Sequence, residues 1–158
     1  MKKTILLIFS LMALSCNSNA QKSAEKQQFP IQKSESEWKA ELNSQEFQVL
    51  RKKGTERAFT SELLDVKEPG TFVCAACGNE LYRTEHKFNS GTGWPSFDRA
   101  FNDDNLVYRR DNSYGYTAIE VRCADCGGHL GHIFNDGPKE TTGKRHCING
   151  IAMDFVKD

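Results

Sequence analysis

Two Cys-x-x-Cys pairs, Cys74/Cys77 and Cys123/Cys126, constrain this chain more than any other feature. Such a turn aims two sulfurs at one point, and two turns complete the tetrahedral thiolate set of a structural zinc site. Each pair is followed by glycine, Gly78 and Gly127, which lets backbone N–H groups approach the sulfurs. The stretch between the pairs is longer than in a compact zinc ribbon. The two turns are therefore expected on separate hairpins that the fold brings together. Disulfides are the competing use of the same residues. Each would close a tiny loop and constrain the unfolded chain little. A redox-active pair would want a thioredoxin-like βαβ context, and neither pair has one. The spacing favours one structural Zn2+ per chain.

Two cysteines remain, Cys16 and Cys147. Cys16 ends a leader-like segment in which Lys2 and Lys3 precede the apolar run from Thr4 to Leu14. That run is too short to span a bilayer comfortably and has no polar face, so it reads as a secretory signal. Residues 1–16 are read as a lipoprotein-type signal peptide with Cys16 as the lipidated residue. Ser18-Asn19-Ala20 offers ordinary cleavage instead. Residues 17–35 are polar and read as a flexible tether. The expected location is outside the cytoplasm, periplasmic or membrane-anchored, with membrane contact only through the lipid. Formal net charge is zero, which gives no basic footprint for nucleic acid.

The remaining chain, 36–158, reads as one mainly β domain behind two short helices. Ser34…Glu37 and Asn43…Glu46 have capping-box spacing, and Phe47, Val49 and Leu50 supply an apolar stripe. Gly54 is expected to close the second helix with positive φ. Strands are expected at Thr71–Cys74, Leu106–Arg109, Tyr116–Cys123 and Ile148–Phe155. In the third, Ile119 and Val121 alternate with Glu120 and Arg122, the pattern of a half-buried strand.

Cys147 lies in Lys144-Arg145-His146-Cys147, where cations and a histidine should favour thiolate over thiol. A lone cysteine is more often a small core residue, but these neighbours suit a nucleophile. His129 and His132 follow the second Cys-x-x-Cys pair and read either as proton-transfer groups or as structural histidines. Trp94 sits in the loop Ser90-Gly91-Thr92-Gly93-Trp94-Pro95-Ser96-Phe97. It can wall an apolar pocket or fill the core.

These segments together resemble the methionine sulfoxide reductase B family. The matching stretches are Phe72-Val73-Cys74-Ala75-Ala76-Cys77-Gly78, Lys87 to Phe97, Val121 to Phe134, Asn135-Asp136-Gly137-Pro138 and Arg145-His146-Cys147-Ile148-Asn149. The resemblance implies two antiparallel sheets forming a small barrel-like core, with zinc at Cys74, Cys77, Cys123 and Cys126 remote from catalysis. It implies that Cys147 attacks the sulfur of a methionine (R)-sulfoxide in oxidised peptides or proteins and becomes sulfenic acid. His129 and His132 would hold water or protonate the sulfoxide oxygen. Arg145 would support the thiolate and Asn149 would orient the site. Trp94, Phe97 and Phe134 would contact substrate. The expected assembly is a monomer.

The chain departs from the family at two positions near the nucleophile. Thr92 stands where many members carry a resolving cysteine, so an external thiol, small or thioredoxin-like, is expected to reduce the sulfenic acid. His146 replaces a tyrosine or phenylalanine and is expected to add a titratable group beside Cys147. Two other classes compete: a zinc-stabilised binding module, and a thiol–disulfide oxidoreductase using a Cys-x-x-Cys pair.

Overall fold

The computed structural model describes residues 28–158 apart from Tyr114 and Tyr116. The expected leader and most of the tether, residues 1–27, lie outside the described residues. No helix among the described residues is long and apolar enough to cross a membrane.

Helices α1 (Glu35–Glu41) and α2 (Ser44–Lys52) begin at the two capping boxes read from the sequence. In each, the cap side chain accepts a backbone N–H three residues on, and the glutamate there accepts the cap's own N–H. That satisfies donors the first helical turn leaves orphaned. The end of α2 differs from the expectation. Lys53, not Gly54, takes the left-handed conformation, with φ 59°. Gly54 is needed for space: a Cβ there would lie 3.0 Å from the Gln48 carbonyl oxygen.

Among the described residues nine strands follow: β1 (Gly70–Cys74), β2 (Glu80–Arg83), β3 (Lys87–Phe88), β4 (Ser96–Phe97), β5 (Leu106–Asp111), β6 (Ala118–Cys123), β7 (His129–Phe134), β8 (Arg145–Ile148) and β9 (Met153–Lys157). They form two antiparallel sheets, ordered β2-β1-β9 and β3-β4-β8-β7-β6-β5. Both sheets keep edge strands, so the core is two open sheets and not a closed barrel. The single strand expected at Ile148–Phe155 is split. β8 ends at Ile148, a 3-10 turn occupies Gly150–Ala152, and β9 runs in the other sheet. Ile148, Ile151, Met153 and Phe155 supply the apolar character of that stretch, but Asn149-Gly150 interrupts it and the turn there carries the chain between sheets.

An aromatic cluster ties the sheets together. Tyr82 of β2 stacks on Phe97 of β4 with ring centroids 4.3 Å apart, and Phe72 of β1 meets Phe97 edge-on at 5.0 Å. Such pairs add about 0.5–1.5 kcal/mol each beyond the area they bury. Trp38, Phe47, Val49 and Leu50 of the helices complete the same core, so the helices are part of it.

The end of the expected tether is docked. Ile31 N–H donates to the Asp125 carbonyl, and the Arg122 guanidinium lies 4.9 Å over the Phe29 ring. A polar average over the segment hides these two apolar anchors, Phe29 and Ile31.

Candidate active site

The two Cys-x-x-Cys pairs close matching turns at hairpin ends in different sheets. Cys74 ends β1 and Cys123 ends β6. Gly78 and Gly127 each donate to the first cysteine's carbonyl and hold φ of 76° and 68°. The four sulfurs lie within 4.8 Å of one another. Cys74 Sγ and Cys126 Sγ are 3.7 Å apart, and Cys77 Sγ and Cys123 Sγ 3.5 Å. Tetrahedral zinc at about 2.3 Å from each sulfur separates them by about 3.8 Å, whereas a disulfide needs about 2.05 Å. Asn79 Nδ2 and Gly128 N–H each donate to a cluster sulfur at 3.4 Å, as groups that stabilise thiolate do. The donor set fits a metal ion.

Cys147 sits elsewhere, in the middle of β8, between β4 and β7. Its register partners are Ser96 and His132. β7 can approach β8 this closely because residue 131 is glycine; a Cβ there would lie 2.0 Å from the Cys147 carbonyl oxygen. Cys147 lines a cavity of about 180 Å3 with Thr55, Trp94, Ala118, Gly131, His132, Phe134 and Asn149. None of the four cluster cysteines lines it.

The side chains around the thiol are held by specific partners. Asn149 donates from Nδ2 to the Leu130 carbonyl at 2.9 Å and accepts at Oδ1 from Glu56 N–H at 3.0 Å. Trp94 donates from Nε1 to the Glu56 carbonyl at 3.2 Å. His132 donates from Nε2 to Asp111 Oδ2 at 3.1 Å. Arg145 makes a two-pronged pair with Asp136, both bonds 2.9 Å, and its guanidinium lies 4.5 Å over the Phe134 ring. Thr92 Oγ1 is 4.0 Å from Cys147 Sγ and backed by Ser90 Oγ at 2.8 Å.

Electrostatics differ from the sequence expectation. Burial pushes the Cys147 thiol up; Arg145's charge and the Thr92 hydroxyl pull it down without offsetting that. His146 contributes no positive charge. Alternation along β8 turns it to the opposite face, where Nδ1 lies 3.2 Å from the hydroxyl of fully buried Tyr82. Burial and the Lys144 charge hold His146 at about 4.

The structure separates the expected site residues. Cys147, His132, Asn149, Trp94 and Phe134 share the cavity, and Arg145 flanks it through Phe134. His129 does not line it. Its ring is 2 % exposed, lies 5.3 Å from the His132 ring, and donates from Nδ1 to Glu120 at 2.9 Å. Phe97 does not line it either: it is fully buried between Tyr82 and Phe72, so its expected substrate contact is replaced by a core role. Glu120, expected to face solvent, is 1 % exposed because His129 and Lys53 bind its carboxylate. Sequence reasoning missed Glu56, Asp111 and Glu120. No local pattern marks them, because their partners come from distant strands and loops.

The fold and site define a mainly β domain with a four-cysteine clip and one further cysteine in an aromatic-walled cavity. A family model described as the SelR domain matches residues 42–157. The chain is 51% identical over 128 residues to the peptide methionine sulfoxide reductase MsrB of Methanosarcina mazei, covering 81% of this chain and 91% of that one. It is 48% identical over 132 residues to the MsrB of Leifsonia xyli, covering 84% and 95%. It is 47% identical over 124 residues to a probable methionine-R-sulfoxide reductase B of Caenorhabditis elegans, covering 78% and 82%. The chain belongs to the SelR-domain family, that of the MsrB methionine sulfoxide reductases.

Proposed function

We propose that this enzyme reduces methionine (R)-sulfoxide in peptides or proteins, with Cys147 as nucleophile. The observation that carries the reading is the placement of the Cys147 thiol in a small cavity beside Trp94, His132 and Asn149. Trp94 and Phe134 offer apolar faces to the methyl and methylene groups flanking the sulfoxide sulfur. The Cys147 thiolate attacks that sulfur while His132 supplies a proton to the oxygen. Formally the oxygen passes to Cys147: sulfoxide and thiol become thioether and sulfenic acid. Burial raises the Cys147 thiol, while the Arg145 charge and the Thr92 hydroxyl favour the anion that attacks.

Regeneration needs two electrons from outside. The sequence holds six cysteines. Four belong to the metal cluster and Cys16 to the leader, which leaves none to resolve the sulfenic acid. Two equivalents of external thiol, small or thioredoxin-like, give Cys147 thiol, a disulfide and water. Zinc is the ion that suits four thiolates in tetrahedral spacing, and its role here is structural. The leader pattern supports export, with Cys16 as a lipid anchor, and a monomer is the expected assembly.

The deciding experiment is turnover of a peptide carrying methionine (R)-sulfoxide, beside its S epimer, with dithiothreitol, for wild type and Cys147→Ser. Reduction of the R epimer alone, abolished in the variant, is expected. Wild type inert toward both epimers would overturn the reading. Export is tested separately by fractionating cells that express the full chain; cytoplasmic retention of uncleaved protein would refute it.

A further inference from the structure

Residues 54–60 form an irregular strap between α2 and the first sheet that reaches the cavity through Thr55. Thr55 of the strap lines the cavity, but its neighbour Glu56 does not. Glu56 nevertheless holds two residues that do. Its N–H donates to Asn149 Oδ1 and its carbonyl accepts from Trp94 Nε1. Its carboxylate accepts from Gly150 N–H at 2.5 Å and Ile151 N–H at 3.0 Å. Those two donors open the 3-10 turn after β8, and Asn149, in the cap position, makes no side-chain cap bond there. A helical turn leaves its first N–H groups without internal partners. Glu56 supplies the cap from 94 residues away, and a charged acceptor on backbone N–H makes bonds stronger than neutral ones.

The strap also grips the tryptophan loop. Phe59 N–H donates to the Gly93 carbonyl at 2.8 Å. Gly93 holds φ 91°, and a Cβ on it would lie 2.9 Å from Ala58 Cβ and the Phe59 ring. The loop bearing Trp94 and the turn bearing Asn149 are therefore referenced to one strap, and Glu56 touches both.

We propose that Glu56 is a positioning residue for this site: by bonding Asn149, Gly150, Ile151 and Trp94 at once, it sets the distance between the aromatic wall and the amide that flank Cys147. The proposal rests on the sulfoxide-reductase reading of the cavity. It predicts a defect in binding the methylsulfinyl end of the substrate, because misplaced walls lose contacts made equally in the bound and reacting states without removing any reacting group. Glu56→Gln is the informative change. Its amide oxygen can accept one of the two N–H groups, but its NH2 meets the other donor head-on.

The metal-loaded protein with Glu56→Gln and Glu56→Asp would be compared with wild type in peptide (R)-sulfoxide turnover. The indole N–H resonances of the two tryptophans, Trp94 and Trp38, would be followed in the same samples. Trp38 lies in the helical core and reports the fold. Wild type is read first: if it is inert, the reaction assignment fails, whatever Glu56 does. With wild type active, Glu56→Gln is expected to raise the peptide KM roughly tenfold, with kcat and the KM for dithiothreitol changed less than about threefold. Trp94's resonance should move while Trp38's stays. An unmoved Trp94 resonance with peptide KM within about twofold of wild type would overturn the proposal. So would movement of both resonances with a lowered melting temperature, which would reduce Glu56 to a fold-holding role.

Discussion

Cys147 and His132 are register partners across the β7–β8 ladder, so their side chains leave the same face of the sheet side by side. The row extends on both sides. Ser96 pairs with Cys147 from β4, and Glu120 pairs with His132 from β6. The proposed nucleophile and proton-transfer group are thus held side by side by strand register. His132→Gln is expected to lower kcat by about 10²–10⁴, the range for losing a positioned acid–base group. Alkylation of Cys147 by iodoacetamide should stay near the wild-type rate. A variant with unchanged kcat would remove His132 from the chemistry.

Arg145 is the cation nearest in sequence to the thiol, yet Asp136 occupies its guanidinium and burial still raises Cys147. Arg145→Met keeps the packing over Phe134 and removes the charge. The pH profile of iodoacetamide alkylation is expected to move up by about one unit, with slower labelling at neutral pH. A profile that stays in place would mean that Arg145 acts only through its pair with Asp136.

The legible parts of this molecule were those coded locally. Capping boxes at Ser34 and Asn43 marked both helix starts, and the Cys-x-x-Cys turns marked two hairpin ends. The cavity beside Cys147 was legible as a set of residue types, because Trp94, Cys147 and Asn149 stand in distinctive short motifs. What stayed hidden depends on contacts across the sheet. Glu120 looks like the solvent position of an alternating strand, and only the arrival of Lys53 and His129 makes it a buried acceptor. Phe97 shares a motif with Trp94, but it lies three residues further on, in β4, and turns into the core. The neighbours of Cys147 in sequence were misleading because strand alternation sends His146 to the other face.

The thiolate cluster joins the β1–β2 hairpin of one sheet to the β6–β7 hairpin of the other. Stripping the metal should therefore loosen the whole fold and not one loop, since structural zinc is commonly part of the folding free energy, about 10 kcal/mol or more in small domains. Chelation at elevated temperature is expected to release one zinc per chain, measured with a colorimetric indicator, and to abolish the cooperative thermal transition. Cys123→Ser should purify metal-poor and unfold early. Full stability and activity in metal-free protein would show that the four sulfurs are a hydrogen-bonded cluster only.

Two buried groups make the fold acid-sensitive over adjoining pH ranges. His146 is held at about 4 by burial and Lys144, below the ordinary 6.5. The unfolded chain therefore takes up a proton before the folded one does, and stability present above pH 6.5 is lost as pH falls toward about 4. For Glu120, burial works to raise the carboxyl, but hydrogen bonds from His129 and Lys53 outweigh it and hold it at about 2 against an ordinary 4.5. Its contribution is complete above about 4.5 and lost as pH falls toward about 2. Each shift corresponds to about 3 kcal/mol at most. Urea unfolding at stepped pH is expected to show stability declining continuously from pH 6.5 downward. His146→Phe should flatten the upper segment and leave the lower one. It should also cost roughly 1–3 kcal/mol at neutral pH, because the buried Tyr82 hydroxyl loses its partner. The pH dependence of Cys147 alkylation should not change, since His146 lies on the far face of β8. An alkylation profile that moves with this substitution would show that the two side chains communicate through the sheet, and the assignment of His146 to the core would fall.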